Sequence, residues 1–404
     1  MESISHSRRR LLAALIMIAV ALVVSSMDIY LPAMPVMRDY FETTEYMMQL
    51  SMMISPLTSA FVGLFFGRLC DVYGRHPILF ASFVFFLMGG LGCCFADTME
   101  TFFLSRYIQA IGTGGLTVLG VVIIADMFHG IDYARYMSIY GALFPLVFAT
   151  SPIVGAQMTE HFGWRSCFVL NFVAMLIIAV WLRLLLPETI KKGEQANQGG
   201  FRELLLKTKM LLMDGEYLLM TFGHALPITL TGLFLANGSF IFIDGFGFTP
   251  TMFSLSQAIP VILNFIGAMV YRRYIGLLGL KGALRMGALG ISGFVVAALA
   301  LVTHHLPNTP LAILSILCLS NFAMPFVIAT CATRAIEIFP DDRGLSVSVM
   351  AMVRNFLLAG IVSFAGLYFN GTISPLCIAM MLVGILVLGI IYLALQRPLV
   401  FAQK

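Results

Sequence analysis

Three ionisable residues stand inside or at the edge of long uncharged runs of this chain: Asp28, Arg106 and Arg354. If those runs cross a bilayer, each charge is expensive. A charge at mid-bilayer costs at least about 2.5–3.5 kcal/mol on insertion scales, so it usually faces a cavity or a partner. Asp28 closes the first apolar run, in the order Asp28-Ile-Tyr-Leu31-Pro32-Ala-Met-Pro35. A carboxylate there can load and release a proton, or it can sit in outside water at the end of a proline-ended helix. Arg106 stands just ahead of the fourth run, in the outer half of span 4. Arg354 lies near the middle of the eleventh, and no Asp or Glu occurs between Asp342 and Lys404. Its partner must come from another segment, from a bound anion or from backbone carbonyls, because a guanidinium keeps its charge wherever it is placed. His224 is expected to be a core histidine.

Other chemistries find no support in the residue pattern. The seven cysteines form no Cys-x-x-Cys pair and have no His partner at metal spacing, so they read as small apolar residues. Histidines and carboxylates do not cluster at membrane depth, which argues against a membrane-embedded enzyme. No G-x-x-x-x-G-K-[ST] run is present, so no ATP site is expected. Neither a cofactor nor a metal is expected.

The elements that must position these charges follow from composition. Of 404 residues, 60% are hydrophobic and 11% charged, with a mean hydropathy of +0.95. Soluble domains carry about 45–50% apolar and about 25% charged residues, so this chain could not cover a soluble globule with polar surface. A cytosolic enzyme, a nucleic-acid binder and a disordered protein are thereby excluded. A transmembrane barrel would alternate in strands of about 10 residues, whereas this chain carries long uninterrupted apolar runs. The first, after Arg8-Arg9-Arg10, spans Leu11–Val24, and without a small-x-small cleavage site it reads as an uncleaved span. Further runs cover Tyr46–Gly67, Pro77–Ala96, Tyr107–Ala125, Tyr136–Thr159 and Ser166–Leu182. A polar stretch follows from Pro187 to Glu216. Beyond it lie Tyr217–Ile243, Gly245–Tyr271, Met286–Thr303, Leu306–Thr333, Gly344–Phe369 and Thr372–Gln396, the last two parted by Asn370-Gly371.

The expected fold is therefore an all-α membrane protein of twelve transmembrane helices in two six-helix halves. The divisions fall at 1–186, a cytoplasmic central loop 187–216, and 217–404. With the N-terminus cytoplasmic, 20 of the 24 Lys and Arg residues fall inside, and only Arg38 and Arg165 fall in outside loops. The positive-inside bias thus sets both termini in the cytoplasm. Two parallel halves around an axis normal to the membrane leave a binding cavity between them.

The loop between spans 2 and 3 reads Gly67-Arg-Leu-Cys-Asp71-Val-Tyr-Gly74-Arg75-His-Pro-Ile-Leu79. It resembles the G-x-L-x-D-x-x-G-R-[RK]-x-x-[IL] signature of the major facilitator superfamily, with His76 in a usually basic place. Glycines at 67 and 74 would permit a close approach and a tight turn, and Asp71 and Arg75 could pair with each other or with a neighbouring helix end. Span 4 carries Arg106-Tyr-Ile-Gln109-Ala-Ile-Gly112-Thr-Gly114-Gly115, similar to the family's R-x-x-Q-G-x-G run, and ends near Asp126. With Gly163-Trp164-Arg165-Ser-Cys-Phe168 and Pro187-Glu188-Thr189, the Asp28-to-Pro35 stretch resembles the Bcr/CflA group of drug:proton antiporters. Span 5 keeps the prolines of an exporter motif (Pro145, Pro152) and one glycine (Gly155), but its glycine-rich face is diluted.

The resemblance implies the major facilitator fold and a proton-coupled exporter of amphipathic drugs or metabolites in a bacterial inner membrane. Its partners would be a small amphipathic substrate, protons and the lipid bilayer, with no nucleic acid, and the chain is expected to act as a monomer. Asp28, Arg106 and Arg354 are the expected proton and substrate coupling residues. Gly67, Asp71, Gly74, Arg75 and Asp126 are the expected conformational latch. The alternatives are a dedicated carrier of a single siderophore-like or amino-acid-like metabolite, exporter or importer, and, from another class, a membrane enzyme or a channel.

Overall fold

A computed structural model describes residues 6–186 and 201–397, and among these residues the chain is helical with no strand. Helix α1 (His6–Asp28) ends where the sequence turns to Pro32 and Pro35. A short 3-10 turn, Leu31–Ala33, follows, and then α2 (Met34–Tyr40). Both prolines sit in first-turn positions, where a missing N–H leaves no backbone bond unmade. The first crossing is thus broken near Asp28 rather than continuous.

Next come α3 (Glu45–Tyr73), α4 (Arg75–Cys94), α5 (Met99–Met127), α6 (Gly130–Phe162) and α7 (Arg165–Leu185). After the central stretch the chain forms α8 (Phe201–Met213), α9 (Gly215–Ser239), α10 (Pro250–Val302), α11 (Pro310–Ile338), α12 (Arg343–Gly366) and α13 (Ile373–Leu395). Starts are set by caps. Thr249 and Thr309 precede a proline and accept from the N–H of Met252 and Ala312, and Asp214 accepts from Tyr217 N–H at 2.7 Å. Ten stretches among the described residues are long and apolar enough to cross a membrane. The 53 residues of α10 hold two of the expected crossings, divided at Gly279, whose backbone is not helical (φ 62°, ψ 176°). With its two halves counted separately, and with the 29-residue α3, the crossings number twelve.

The polar stretch expected between the halves contains a helix. Residues 187–200 lie outside the described residues, but Phe201–Met213 forms α8. Its Leu211 is buried, and its Lys207 Nζ meets Asp342 Oδ1 at 2.8 Å. Charges interleaved with leucines hid this helix in the sequence.

By contacts the chain forms two compact units. One takes in residues up to Thr44 together with Ile54–Phe201; the other takes in Glu45–Met53 and the chain from Arg202 onward. The core of the first is Leu12, Ile16 and Val20 of α1 with Phe83, Phe86, Leu119 and Ile123 of α4 and α5. Within it α4 and α5 touch backbone to backbone. A Cβ at Gly89 would overlap Gln109 N, and one at Gly112 would overlap Phe86 N. Lipid gives helices no hydrophobic reason to associate, so close small-residue packing supplies the attraction instead. In the second unit, polar groups near the helix ends join neighbours. Arg334 Nη2 meets Glu216 Oε1 at 2.8 Å, and the Tyr217 hydroxyl donates to the Ser346 carbonyl at 2.6 Å.

Candidate functional site

The broken first crossing places Asp28 and Tyr30 in the interior of the first unit. Asp28 is 2% exposed and its Oδ2 has no hydrogen-bond partner. Arg106, two turns into α5, is 0% exposed. Its Nη1 donates to the Ser26 carbonyl at 3.0 Å and to Gln109 Oε1 at 2.7 Å. Its Nη2 donates to Ser55 Oγ of α3 at 3.1 Å, while its Nε has no partner. The guanidinium also lies 4.9 Å from the centroid of the Tyr30 ring, a favourable cation–π placement. Tyr30 is itself wedged between Phe102 and Phe168.

No ion pair joins Asp28 to Arg106 among the described residues; the guanidinium acts on the carboxylate through the intervening space. The fork of Arg106 is therefore fixed by neutral oxygens, and the acid keeps one oxygen uncommitted. That arrangement can hold a proton or a cationic group at Asp28 without first breaking a salt bridge. The backbone beside it is held tightly. A Cβ at Gly155 of α6 would overlap the Ile29 carbonyl oxygen, and Ser151 Oγ lies 2.8 Å from Ser25 Oγ. The one glycine retained in span 5 thus serves the contact of α6 with the broken end of α1.

The loop signature gathers at the opposite end of the same unit. Gly74 caps α4 with φ 102°, a conformation that a Cβ would strain. Arg75 opens α4, and Asp126 stands at the end of α5; each charge is at the unfavourable end of its helix dipole. They compensate one another, with Arg75 Nε 3.2 Å from Asp126 Oδ2. Arg75 Nη1 also reaches Cys70 Sγ at 3.0 Å, so α3, α4 and α5 meet at one arginine. The side chain of Asp71 lies outside the described residues. Gly67 is not sterically required: a Cβ there would meet Val118 Cγ1 at 3.7 Å, an ordinary contact.

The expectation for this cluster is direct. A charged hydrogen bond of this kind contributes about 1.5–3 kcal/mol, so Asp126→Asn should shift a conformational equilibrium by about tenfold or more. Transport should fall while substrate binding to purified protein stays within about twofold. Equal loss of both would mark the pair as a folding element only.

Of the expected coupling residues, Asp28 and Arg106 share one neighbourhood. Arg354 belongs to the second unit, on α12, with His224 of α9 near enough to feel its charge. Sequence reasoning missed Ser26, Tyr30 and Ser55. Tyr30 and Ser26 flank Asp28 at two residues' distance, which is a usable signal; Ser55 is one of three serines spaced four apart (Ser51, Ser55, Ser59), and nothing in that spacing singles it out or points to Arg106.

Apolar crossings in two units, twelve among the described residues, with Arg106 and Asp28 buried inside the first unit, are those of a multi-pass membrane protein. A sequence profile of the Major Facilitator Superfamily matches residues 16–363, and the chain belongs to that family. It is 24% identical over 359 residues, 84% of each chain, to the uncharacterized MFS-type transporter YdgK of Bacillus subtilis. It is 27% identical over 262 residues to a chloramphenicol resistance protein of Pseudomonas aeruginosa, covering 65% of this chain and 61% of that one. Its fold matches the inward-facing, unoccupied crystal structure of a bacterial homolog to the human lysosomal transporter Spinster. That match has a TM-score of 0.72 and 15% identity and covers 97% and 98% of the two chains.

Proposed function

We propose that this transporter is a proton-coupled exporter of amphipathic drugs or metabolites, of the Bcr/CflA antiporter kind, in a bacterial inner membrane. The observation that carries the reading is the buried, uncommitted oxygen of Asp28 beside an arginine already satisfied by neutral groups. A proton arriving from outside neutralises Asp28 and favours release of substrate to that side. Loss of the proton to the cytoplasm resets the site. Rocking of the two six-helix halves would expose the site to each side in turn. The relative named for chloramphenicol resistance supports export of a drug-like compound.

Everted membrane vesicles test the reading. With an acid lumen, the protein should accumulate several unrelated amphipathic dyes, and a protonophore should abolish the accumulation. Gradient-independent, downhill movement would overturn proton coupling. Uphill movement of one compound alone would mark a dedicated carrier.

The orientation has its own test, from the distribution of basic residues. A cysteine placed at Asn370 should react with an impermeant thiol reagent added outside intact cells, and one at Gln198 should not. Labelling of Gln198 from outside would reverse the topology.

A further inference from the structure

Arg354 is the twelfth residue of the 24-residue α12, at the middle of a crossing, and most of its surface is covered. Its Nε donates to Asn355 Oδ1 at 3.1 Å, a neutral amide on its own helix. Among the described residues no carboxylate pairs with it, and its two Nη groups have no protein partner. The contrast within the same unit is informative. Arg334, nearer a helix end, is paired with Glu216, and Lys207 is paired with Asp342. The titratable side chain that Arg354 acts upon is His224 of α9, whose Nδ1 lies 3.5 Å from the Ile328 carbonyl. An imidazole there supplies polarity but no negative charge. One turn away on the same face of α12 stand Met350, Leu357 and Leu358. Met350 is 5% exposed and Leu358 packs over Gly232 of α9, so the result is a permanent cation at the middle of a crossing with a two-nitrogen edge that no described side chain takes up.

We infer that Arg354 is an anion-binding subsite for substrate and that it recognises a carboxylate or similar planar oxyanion on an otherwise apolar molecule. With Nε held by Asn355, the open edge is Nη1–Nη2. A carboxylate fits it end-on with two parallel N–H···O bonds. This deepens the transport reading, on which it rests, by giving the substrate a charge sign; it adds no chemical step, only binding.

The test uses purified full-length protein and three congeners: 1-naphthaleneacetate, its methyl ester and 1-naphthalenemethylammonium. Equilibrium binding is measured in the absence of any proton gradient, so a failure of proton coupling leaves this result readable. The parent should bind the acid about tenfold more tightly than the ester, and the ammonium least well. Arg354→Gln should bind acid and ester alike, and Arg354→Lys should retain part of the preference while losing the bidentate contribution. Monodisperse elution of each variant checks that it folds. Preference of the parent for the ester or the ammonium overturns the inference, as does absence of acid binding at millimolar concentration or an acid preference that survives in Arg354→Gln.

Discussion

Asp28→Asn is expected to abolish uphill transport. The substitution keeps the shape of the side chain and its neighbours but removes the group that can exchange a proton. Gradient-driven accumulation should drop to that of vesicles without protein. Exchange of labelled for unlabelled substrate should persist, because movement between the two open states no longer depends on a proton arriving. The buried position sharpens the contrast: among the described residues Asp28 is 2% exposed and its Oδ2 makes no hydrogen bond. Unchanged proton-coupled transport in Asp28→Asn would move the proton site elsewhere, with Asp126 the next acid to test. Loss of exchange as well would mean that Asp28 holds the substrate or the fold rather than the proton.

Replacing Arg106 should have the other large effect, and mainly on stability. Arg106→Ala leaves the Ser26 carbonyl, Gln109 Oε1 and Ser55 Oγ without their shared donor and opens a void against Tyr30. Each buried polar group left unpaired costs about 1–3 kcal/mol, so the variant should unfold well below the parent on heating and accumulate poorly. Arg106→Lys keeps the charge that acts on Asp28 but offers a compact ammonium in place of a planar fork, and it cannot reach all three acceptors in the same geometry. It should fold yet transport about tenfold or more slowly. Thermal unfolding and exchange measured side by side separate the two effects. Parent-like behaviour of Arg106→Ala in both would show that the network is dispensable.

Much of this was readable from residue order because bilayer physics leaves few choices. Uncharged runs of sufficient length become helices, and Asn370-Gly371 becomes a turn, with Gly371 at φ 79°. Asp126 was readable as the partner of the loop signature through its resemblance, and the structure brings it to Arg75. What escaped was set by three-dimensional packing. α8 was hidden because two short leucine runs are parted by Lys207 and Lys209 within a polar stretch, and its docking runs through Leu211 and Lys207. The two crossings expected on either side of residue 279 are separate, and the non-helical backbone of Gly279 (φ 62°, ψ 176°) divides them. Ser55 lies 51 residues from Arg106 in the chain, and no periodicity links them. The deciding feature of the candidate site, that Asp28 and Arg106 are neighbours without being a salt bridge, is a matter of distance that no sequence pattern encodes.

Proton movement itself tests the account most directly. In proteoliposomes holding a trapped pH indicator, with no gradient imposed at the start, substrate moving down its own gradient should drive protons in the opposite direction. The parent should show this counterflow, and Asp28→Asn should move substrate without it. Counterflow of equal size in the two proteins, or none in a parent that transports, would contradict proton antiport through Asp28.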